Sequence, residues 1–494
     1  MADKTIRVDE LMESSGVKFG TSGARGLAVA MTDEVCYVYT AAFLQHLAGE
    51  GMISPGAVVA IAGDLRPSTD RIMAAAGRAV SDMGYTPINS GKLPSPAVAY
   101  YGLVKGIATV MVTGSHIPDD RNGIKYNRSD GEIMKTDEAG IKAQEITFDA
   151  DLFDAGGSLA EPFDLGAVSP EAAELYVSRY VDFFPEACLD GRSIGLYEHS
   201  SVGREMIYEI LSALGADVTK LGFSDTFIPV DTEAIRPEDV ELAKQWAGEN
   251  DFHAIVSADG DTDRPLISDE TGVWLRGDVA GILCAAYLGA DAVVTPVSCN
   301  SAVEKCGLFG RVIRTRIGSP YVIAGMVEAS ASGGEYVVGY EANGGFLTNS
   351  DILRDGKTLR ALPTRDAVLP MVCIILLSIR EGKTISELLG DLPRRFTASN
   401  RLKEFPTAAS QARLAEFASG GAAAIEAAFG HLCGTVAGVD ATDGLRVTFD
   451  NGEVIHLRPS GNAPEFRCYN EADTPERAVE LNGACLAVME AWRQ

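Results

Sequence analysis

Three segments of the chain repeat one order of apolar and polar positions. Each begins with a short apolar run rich in β-branched residues, passes through a small polar loop and continues into an amphipathic stretch with helical spacing. The apolar runs are residues 57–62, 193–197 and 292–297, and the first two helical stretches end at about Met83 and Leu214. Copies roughly 100–140 residues apart indicate separate α/β units, because a solenoid repeats at a much shorter period.

Each copy contains a second apolar strand that ends in a polar loop. These strand-and-loop segments are residues 110–115, 254–264 and 336–345. In open α/β sheets, ligands bind beyond the carboxyl ends of the strands. The sequence therefore predicts that the three loops face a common cleft.

The C-terminal part departs from this repeat. An alanine-rich helical stretch near residues 407–430 precedes two alternating segments that flank Asn451-Gly452, a dipeptide typical of a hairpin turn. We expect three similar α/β domains with mixed sheets and a C-terminal α+β domain around a central cleft. The predicted domain bounds are residues 1–155, 156–268, 269–388 and 389–494.

Composition narrows the class of partner. The 494-residue chain has a formal net charge of −27, which disfavours nucleic acid and anionic membranes as partners. Its nine cysteines are scattered without a CxxC pair, as expected of reduced thiols in a cytoplasmic protein. The first residues form no apolar signal-peptide core. The apolar run at 371–377 is too short to span a bilayer and predicts a buried helix.

The segment ADGDTDRP, residues 258–265, alternates three carboxylates in a loop that follows an apolar strand. Asp259, Asp261 and Asp263 can surround one small hard cation, and few protein ligands leave positions open for substrate oxygens, which suits Mg²⁺. The alternative is a solvated acidic turn. A metal site therefore remains one of two interpretations of the loop.

The segment TGSHIPDDRNGIKY, residues 113–126, ends an apolar strand with a hydroxyl, an imidazole and, ten residues later, an ammonium group. Ser115 is either a helix cap or an activated nucleophile, whose base would be His116 or a residue from another loop. Lys125 is either exposed to solvent or neutralises a phosphoryl group on that serine.

Two further loops carry groups suited to a sugar phosphate. The segment RPSGNAPEFR, residues 458–467, combines two guanidinium groups, hydroxyl and amide donors and a glycine, which together favour a phosphate cradle. In GYEANGGF, Glu341 and Asn343 alternate and can hydrogen-bond neighbouring sugar hydroxyls, although a capped turn is the alternative. KFGTSGARG, residues 18–26, lacks the strand-first context of a dinucleotide motif, and no P-loop motif is present.

These five motifs, in their order along the chain, resemble those of the α-D-phosphohexomutase superfamily over residues 18 to about 470. The resemblance implies a phosphorylated Ser115 and Mg²⁺, one per chain, bound by Ser115, Asp259, Asp261 and Asp263. It implies assistance to phosphoryl transfer from Arg25, His116 and Lys125. It also implies substrate contacts from Arg264, Glu341, Asn343, Arg458, Ser460, Gly461, Asn462 and Arg467.

The reaction implied by the resemblance interconverts a hexose 6-phosphate and a hexose 1-phosphate through a hexose 1,6-bisphosphate, which also acts as activator. Mannose is the expected sugar, with glucose as a shared or alternative substrate and glucosamine less favoured. Ile117, Asn343 and the pair Asn462-Ala463 differ from the commonest family motifs and blur the sugar assignment. Two other functions stay open, a metal-dependent phosphatase that forms phosphoserine and an inactive sugar-phosphate binder. A monomer or a homodimer is expected.

Overall fold

The computed structural model describes residues 3–20, 23–460 and 464–493. The strands in these ranges are β1 (Asp3–Arg7), β2 (Lys18–Phe19), β3 (Gly23–Leu27), β4 (Val58–Gly63), β5 (Thr86–Lys92), β6 (Ala108–Val112), β7 (Arg121–Arg128), β8 (Gly131–Glu132), β9 (Glu145–Asp149), β10 (Ser193–His199), β11 (Asp217–Phe223), β12 (Ala254–Ala258), β13 (Pro265–Ile267), β14 (Ala292–Pro296), β15 (Arg311–Thr315), β16 (Val337–Tyr340), β17 (Phe346–Thr348), β18 (Ile352–Arg354), β19 (Lys357–Leu359), β20 (Leu362–Asp366), β21 (Phe396–Leu402), β22 (Val436–Asp440), β23 (Leu445–Phe449), β24 (Val454–Pro459) and β25 (Phe466–Ala472).

The helices in the same ranges are α1 (Val8–Ser15), α2 (Asp33–Gly49), α3 (Thr69–Asp82), α4 (Ser95–Lys105), α5 (Lys135–Lys142), α6 (Glu171–Val181), α7 (Arg204–Ala213), α8 (Pro237–Glu249), α9 (Gly277–Leu288), α10 (Ala302–Lys305), α11 (Ser319–Ala331), α12 (Val368–Glu381), α13 (Ile385–Asp391), α14 (Thr407–Cys433) and α15 (Pro475–Glu490), with a 3-10 turn at Ala150–Leu152.

Three sheets share one topology, which confirms the predicted repeat. Their strand orders contain β5-β4-β6-β7, β11-β10-β12-β13 and β15-β14-β16-β17, so each sheet runs second, first, third, fourth in chain order. The first three strands of each set are parallel and the fourth is antiparallel. The sheets are therefore mixed, and the loop after the third strand of each set carries one of the predicted motifs.

The third copy differs from the prediction at its first helix. α10 has only four residues, and the loop before it is held by the C-terminal part of the chain. The backbone N–H of Ser301 donates to Glu471 at 3.0 Å, and the Asn300 amide donates to the Arg395 carbonyl at 2.8 Å. These contacts join the third α/β unit to the C-terminal part of the chain.

The C-terminal part forms an antiparallel sheet of order β21-β25-β24-β23-β22, and β23 and β24 make the predicted hairpin. The long helix α14 is interrupted at Gly421, whose φ of 60° and ψ of −151° are not helical. This part has its own apolar cluster, which includes Phe405, Phe429 and Phe466. The α+β character that the sequence predicts is confirmed, whereas the exact domain bounds stay a prediction.

A continuous core joins the three α/β units. One apolar cluster includes Ala60 from β4, Leu196 from β10 and Val338 from β16, together with the buried helix α12. Shared packing of this kind fixes the carboxyl ends of the three sheets relative to one another. Among residues 3–20, 23–460 and 464–493, no helix combines the length and the apolar character that a membrane span needs.

Candidate functional site

Ser115 lies in the loop after β6 in a conformation that non-glycine residues seldom adopt. Its φ is 58°, and the residue is only 1% exposed. Left-handed backbone at a buried serine costs free energy and persists only when the surroundings impose it. The hydroxyl donates to Oδ2 of Asp259 at 2.7 Å, so two loops that are 144 residues apart in the chain meet at this oxygen.

Arg66, which the sequence analysis did not identify, fixes the loop after β6 through hydrogen bonds. Its guanidinium donates to four carbonyls of the loop, among them Ser115 at 2.8 Å and Ile117 at 2.6 Å, and its Nε donates to Asp64. A Cβ on Gly114 would lie 2.6 Å from the guanidinium carbon, so this glycine is needed for the close approach. These contacts hold the loop that contains Ser115.

The three aspartates of the loop after β12 lie together as predicted. Asp259, Asp261 and Asp263 are at most 2% exposed, and one carboxylate oxygen from each lies within 4.8 Å of the others. The Lys125 ammonium, on the adjacent β7, lies 2.6 Å from Oδ2 of both Asp261 and Asp263. Lys125 is 8% exposed, so the solvent-exposed interpretation of this lysine is wrong.

Burial and charge set the pKa values of these carboxyls apart. Burial, reinforced by Asp261 and Asp263, raises the pKa of Asp259 well above its usual value. Burial would also raise the pKa of Asp261 and Asp263, but nearby cations outweigh it and lower both values: Lys125 for Asp261, and Arg365 and Lys125 for Asp263. The two carboxylates nearest the ammonium are therefore charged at neutral pH.

The donor set fits a hard divalent cation. Oδ1 of Asp261 and Oδ1 of Asp263 are buried and have no hydrogen-bond partner within the described residues, although each Oδ2 is held by a cation. Unpartnered buried carboxylate oxygens are costly, and a cation that accepts oxygen ligands removes that cost. These residues could hold one metal ion beside the Ser115 hydroxyl.

His116 is neutral in this site. Burial, together with Arg264 and Arg25, lowers its pKa to about 2. Nη1 of Arg264 lies 2.8 Å from Nδ1 of His116, and because a guanidinium only donates, this nitrogen accepts and the proton sits on Nε2. Nδ1 is therefore occupied, and the shortest acceptor for the serine proton is Asp259, a residue from another loop.

Arg25 lies in β3, opposite Gly123 of β7, the strand that also carries Lys125. Burial, together with the neighbouring Arg264, lowers its pKa to about 10, so the side chain remains a cation at neutral pH. The structure thus brings Arg25, His116 and Lys125 to the sheet edge that carries Ser115.

The loop after β16 places Glu341 near the aspartates, where it is 4% exposed. Its Oε2 accepts from Nη1 of Arg365 at 3.1 Å. Asn343 uses its Oδ1 to accept from the Gly345 N–H at 3.0 Å, which is the capped-turn interpretation of this amide. The backbone carbonyl of Asn343 accepts from the Thr232 hydroxyl at 2.7 Å, so a residue of the second unit also holds this loop.

A cavity of about 550 Å³ connects the serine loop with the C-terminal domain. Its wall includes His116 and Arg264 on one side and Arg467 on the other, and it also contains Asp231, Glu233, Ala234, Ser399, Asn400, Arg401, Lys403 and Tyr469. Arg401 and Lys403 were not predicted, although two cations beside Asn400 in so acidic a chain are a visible signal. The cavity joins the serine loop, the end of the aspartate loop and the C-terminal part of the chain, whereas residues 336–345 are not part of its wall.

The C-terminal phosphate loop is only partly described. Arg458 pairs with Asp443 at 2.8 Å, and together with Ser460 and Arg467 it lines a second cavity of about 290 Å³. Arg467 lines both cavities. Gly461 and Asn462, which the sequence analysis also assigned to this loop, lie outside the described residues.

Family models match three parts of the chain. They are described as phosphoglucomutase/phosphomannomutase alpha/beta/alpha domain I over residues 16–149, domain III over residues 276–396, and the C-terminal domain over residues 403–485. The chain is 44% identical to a phosphomannomutase of Sinorhizobium fredii over 96% of its own length and 99% of the relative. The chain belongs to the phosphoglucomutase/phosphomannomutase family. A phosphomannomutase of Salmonella muenchen is 43% identical, with 96% of this chain and 95% of the relative covered.

Solved structures agree on the fold of this phosphoglucomutase/phosphomannomutase family member. A putative phosphomannomutase from Thermus thermophilus aligns with a TM-score of 0.74 at 19% identity, covering 96% of this chain and 99% of that one. The family assignment confirms the superfamily resemblance that the five motifs indicated. The roles of individual site residues stay predictions, which the geometry above makes specific.

Proposed function

We propose that this protein is a phosphohexomutase that interconverts hexose 6-phosphates and hexose 1-phosphates, with mannose as the first substrate and glucose as a second. One observation carries the proposal: the Ser115 hydroxyl, 2.7 Å from Asp259, lies at the metal-type carboxylate cluster and beside a cavity lined by Arg264 and Arg467. A nucleophile, a cation site and a distant guanidinium in one cleft are what a two-ended phosphosugar requires. The high identity to two phosphomannomutases supports mannose.

In the proposed reaction, Ser115 carries a phosphoryl group in the resting enzyme. A free sugar hydroxyl attacks phosphorus, the bond between phosphorus and Oγ of Ser115 breaks, and Oγ takes up a proton as the sugar hydroxyl loses one. The bisphosphate then turns end for end and returns its other phosphoryl to Ser115. No net proton or phosphoryl is consumed, so the cycle is reversible.

The side chains have distinct tasks in this scheme. Lys125, Arg25 and Arg264 neutralise charge around the transferring group, while neutral His116, held by Arg264 through Nδ1, presents its Nε2–H as a donor. Asp259, Asp261 and Asp263 would hold Mg²⁺, one per chain. When bound, the ion would spread the charge that develops on the phosphoryl oxygens.

Arg467, which lines the cleft, would grip the second phosphate together with Arg458 and Ser460 of the second cavity and with Gly461 and Asn462 of the same loop. Glu341 would hydrogen-bond sugar hydroxyls; the Asn343 side chain caps its own turn, so its contribution would come through the loop. Because either phosphate must fit the same cradle, a hexose 1,6-bisphosphate would serve as both intermediate and activator. The nine free cysteines of the described chain support a reducing, cytoplasmic location.

Steady-state kinetics on the 1-phosphates of mannose, glucose and glucosamine test the proposal, with glucose 1,6-bisphosphate and Mg²⁺ supplied. The mutase is expected to convert mannose and glucose 1-phosphates and to require bisphosphate. A metal-dependent phosphatase would instead release inorganic phosphate without bisphosphate stimulation. The cavity between Arg264 and Arg467 favours the mutase, since a hydrolase has no need to hold the far end of its substrate.

A further inference from the structure

Arg365 belongs to none of the sequence motifs, yet it contacts two of them. It lies in β20 and is 5% exposed. Its Nε and Nη2 lie 3.1 Å and 2.9 Å from Oδ2 of Asp263, and its Nη1 lies 3.1 Å from Oε2 of Glu341. One guanidinium therefore bridges the aspartate loop of the second unit and the Glu341 loop of the third.

We propose that Arg365 is a positioning residue that fixes Asp263 and Glu341 relative to each other, so that cation binding and sugar binding depend on the same side chain. The assignment of the two carboxylates to cation and sugar rests on the proposed function. The bridge itself is a property of the geometry.

The shape of the guanidinium suits this bridge. Its planar fork presents N–H groups on separate nitrogens and different edges, whereas a lysine ammonium donates from a single nitrogen and pairs only with carboxylates that meet at that atom, as Asp261 and Asp263 do at Lys125. By holding Oδ2 of Asp263 together with Lys125, Arg365 leaves Oδ1 of that carboxylate without a hydrogen bond from the described residues, with Nε of Arg264 at 3.6 Å. The Asp263 carboxylate is thereby held in the orientation that leaves Oδ1 available to a cation.

The Glu341 loop is shaped around the arginine stem. A Cβ on Gly345 would lie 2.6 Å from both Cγ and Cδ of Arg365, closer than real carbon atoms approach. The carbonyl of Gly345 accepts from the Glu341 N–H at 3.2 Å. The last glycine of the GYEANGGF motif is therefore required by the position of Arg365 and links that position to the backbone of Glu341.

The backbone next to Arg365 is anchored to a third element. Asp366 accepts hydrogen bonds from the hydroxyls of Tyr176, at 2.7 Å, and Tyr180, both on α6. It also accepts from the Val368 N–H at 3.0 Å, at the start of α12. Because all of these groups are buried, this network restrains the β20 end from which the Arg365 side chain extends.

The test uses binding to Ser115→Ala protein, in which no phosphoryl is transferred. Mn²⁺ affinity is measured by electron paramagnetic resonance and mannose 1-phosphate affinity by calorimetry, in the parent and with Arg365→Gln, Arg365→Lys or Gly345→Ala added. Arg354→Gln is the matched control, since Arg354 lies in the same part of the chain but donates to the Tyr287 carbonyl. Thermal unfolding identifies any variant that does not fold.

Arg365→Gln is expected to weaken Mn²⁺ binding at least about tenfold, the usual effect of losing a partner of a metal ligand, and to weaken mannose 1-phosphate binding as well. Gly345→Ala should lower both affinities by displacing the arginine stem without removing its charge. Arg365→Lys should restore folding stability but only one of the two affinities. Arg354→Gln should leave both unchanged.

Two results would overturn the proposal. If Arg365→Gln and Gly345→Ala bind both ligands as the parent does, Arg365 positions neither carboxylate. If only one affinity falls in both variants, the residue serves one loop and does not couple two. Both readouts are equilibrium binding, so a protein that bound the ligands but failed to interconvert sugar phosphates would refute the proposed function and still decide the role of Arg365.

Discussion

Replacing Lys125 by methionine removes the ammonium that two buried carboxylates share. Lys125 Nζ lies 2.6 Å from Oδ2 of Asp261 and of Asp263, and its carboxylate partners are at most 3% exposed. Methionine keeps much of the side-chain length and fills the space without the charge. The variant therefore leaves like charges buried close together with one cation fewer.

The size of the effect follows from the burial of the pair. Removing one partner of a buried ion pair costs about 3–5 kcal/mol, because the remaining charge is uncompensated. For a unit of 150–250 residues, 1 kcal/mol shifts the unfolding midpoint by about 2–4 °C. In the presence of a chelator, Lys125→Met should thus lower the first unfolding transition by roughly 6–20 °C.

The assay is calorimetry in the Ser115→Ala background, with chelator or with excess Mg²⁺. We expect Mg²⁺ to recover more stability in Lys125→Met than in the parent, because the ion replaces the missing positive charge. Lys220→Met is the matched control: its ammonium pairs with Glu198 and Glu205 but is 35% exposed, so a loss below about 1 kcal/mol is expected. If Lys125→Met in chelator unfolds at the parent temperature, the electrostatic account of the site is wrong.

Three further predictions concern the groups around the site. Ser95→Ala removes a hydroxyl that donates to Oδ2 of Asp261 at 2.6 Å, so Mn²⁺ should bind about tenfold more weakly in a spectroscopic titration. An unchanged Mn²⁺ affinity would show that Ser95 does not position Asp261 for the cation. Tyr176→Phe leaves Asp366 short of a buried hydrogen bond and should lower the free energy of unfolding by about 1–3 kcal/mol in a denaturant titration, whereas exposed Tyr208→Phe should have little effect. Burial lowers the pKa of His456 to about 4, below its unfolded value, so the free energy of unfolding falls as the pH decreases from 6.5 to 4, by up to about 3 kcal/mol. His456→Gln should flatten that part of the curve of stability against pH. Parallel curves for the variant and the parent would contradict this assignment.

The sequence predicted those parts of the site that arise from local order along the chain. Asp259, Asp261 and Asp263 alternate in one loop after an apolar strand, so their proximity needs no knowledge of the fold. Ser115 could be found in the same way, because it lies in the loop that follows the apolar strand β6. The repeated strand-loop-helix order also predicted the three related sheets.

The missed groups are those whose partners are far away in the chain. Arg66 is 49 residues from the serine it holds, and Arg365 is 102 residues from Asp263. Neither lies in a motif: Arg66 reaches the serine loop because β4 and β6 are neighbours in one sheet, and Arg365 reaches Asp263 across two different sheets. The exposure of Lys125 was ambiguous for the same reason: the carboxylates that bury it belong to another unit. Gly345 indicates the contact only indirectly, because its lack of a side chain leaves room for the Arg365 stem.

The account depends on the transfer of a phosphoryl group between Ser115 and the sugar. The most direct measurement starts from protein labelled with radioactive phosphate at Ser115, mixes it rapidly with unlabelled mannose 1-phosphate and Mg²⁺, and follows the label by chromatography. The label should leave the protein within one turnover and appear in mannose 1,6-bisphosphate and then in mannose 6-phosphate. The Ser115→Ala control should take up no label. Label released as inorganic phosphate, or left on the protein while product forms, would contradict the mechanism.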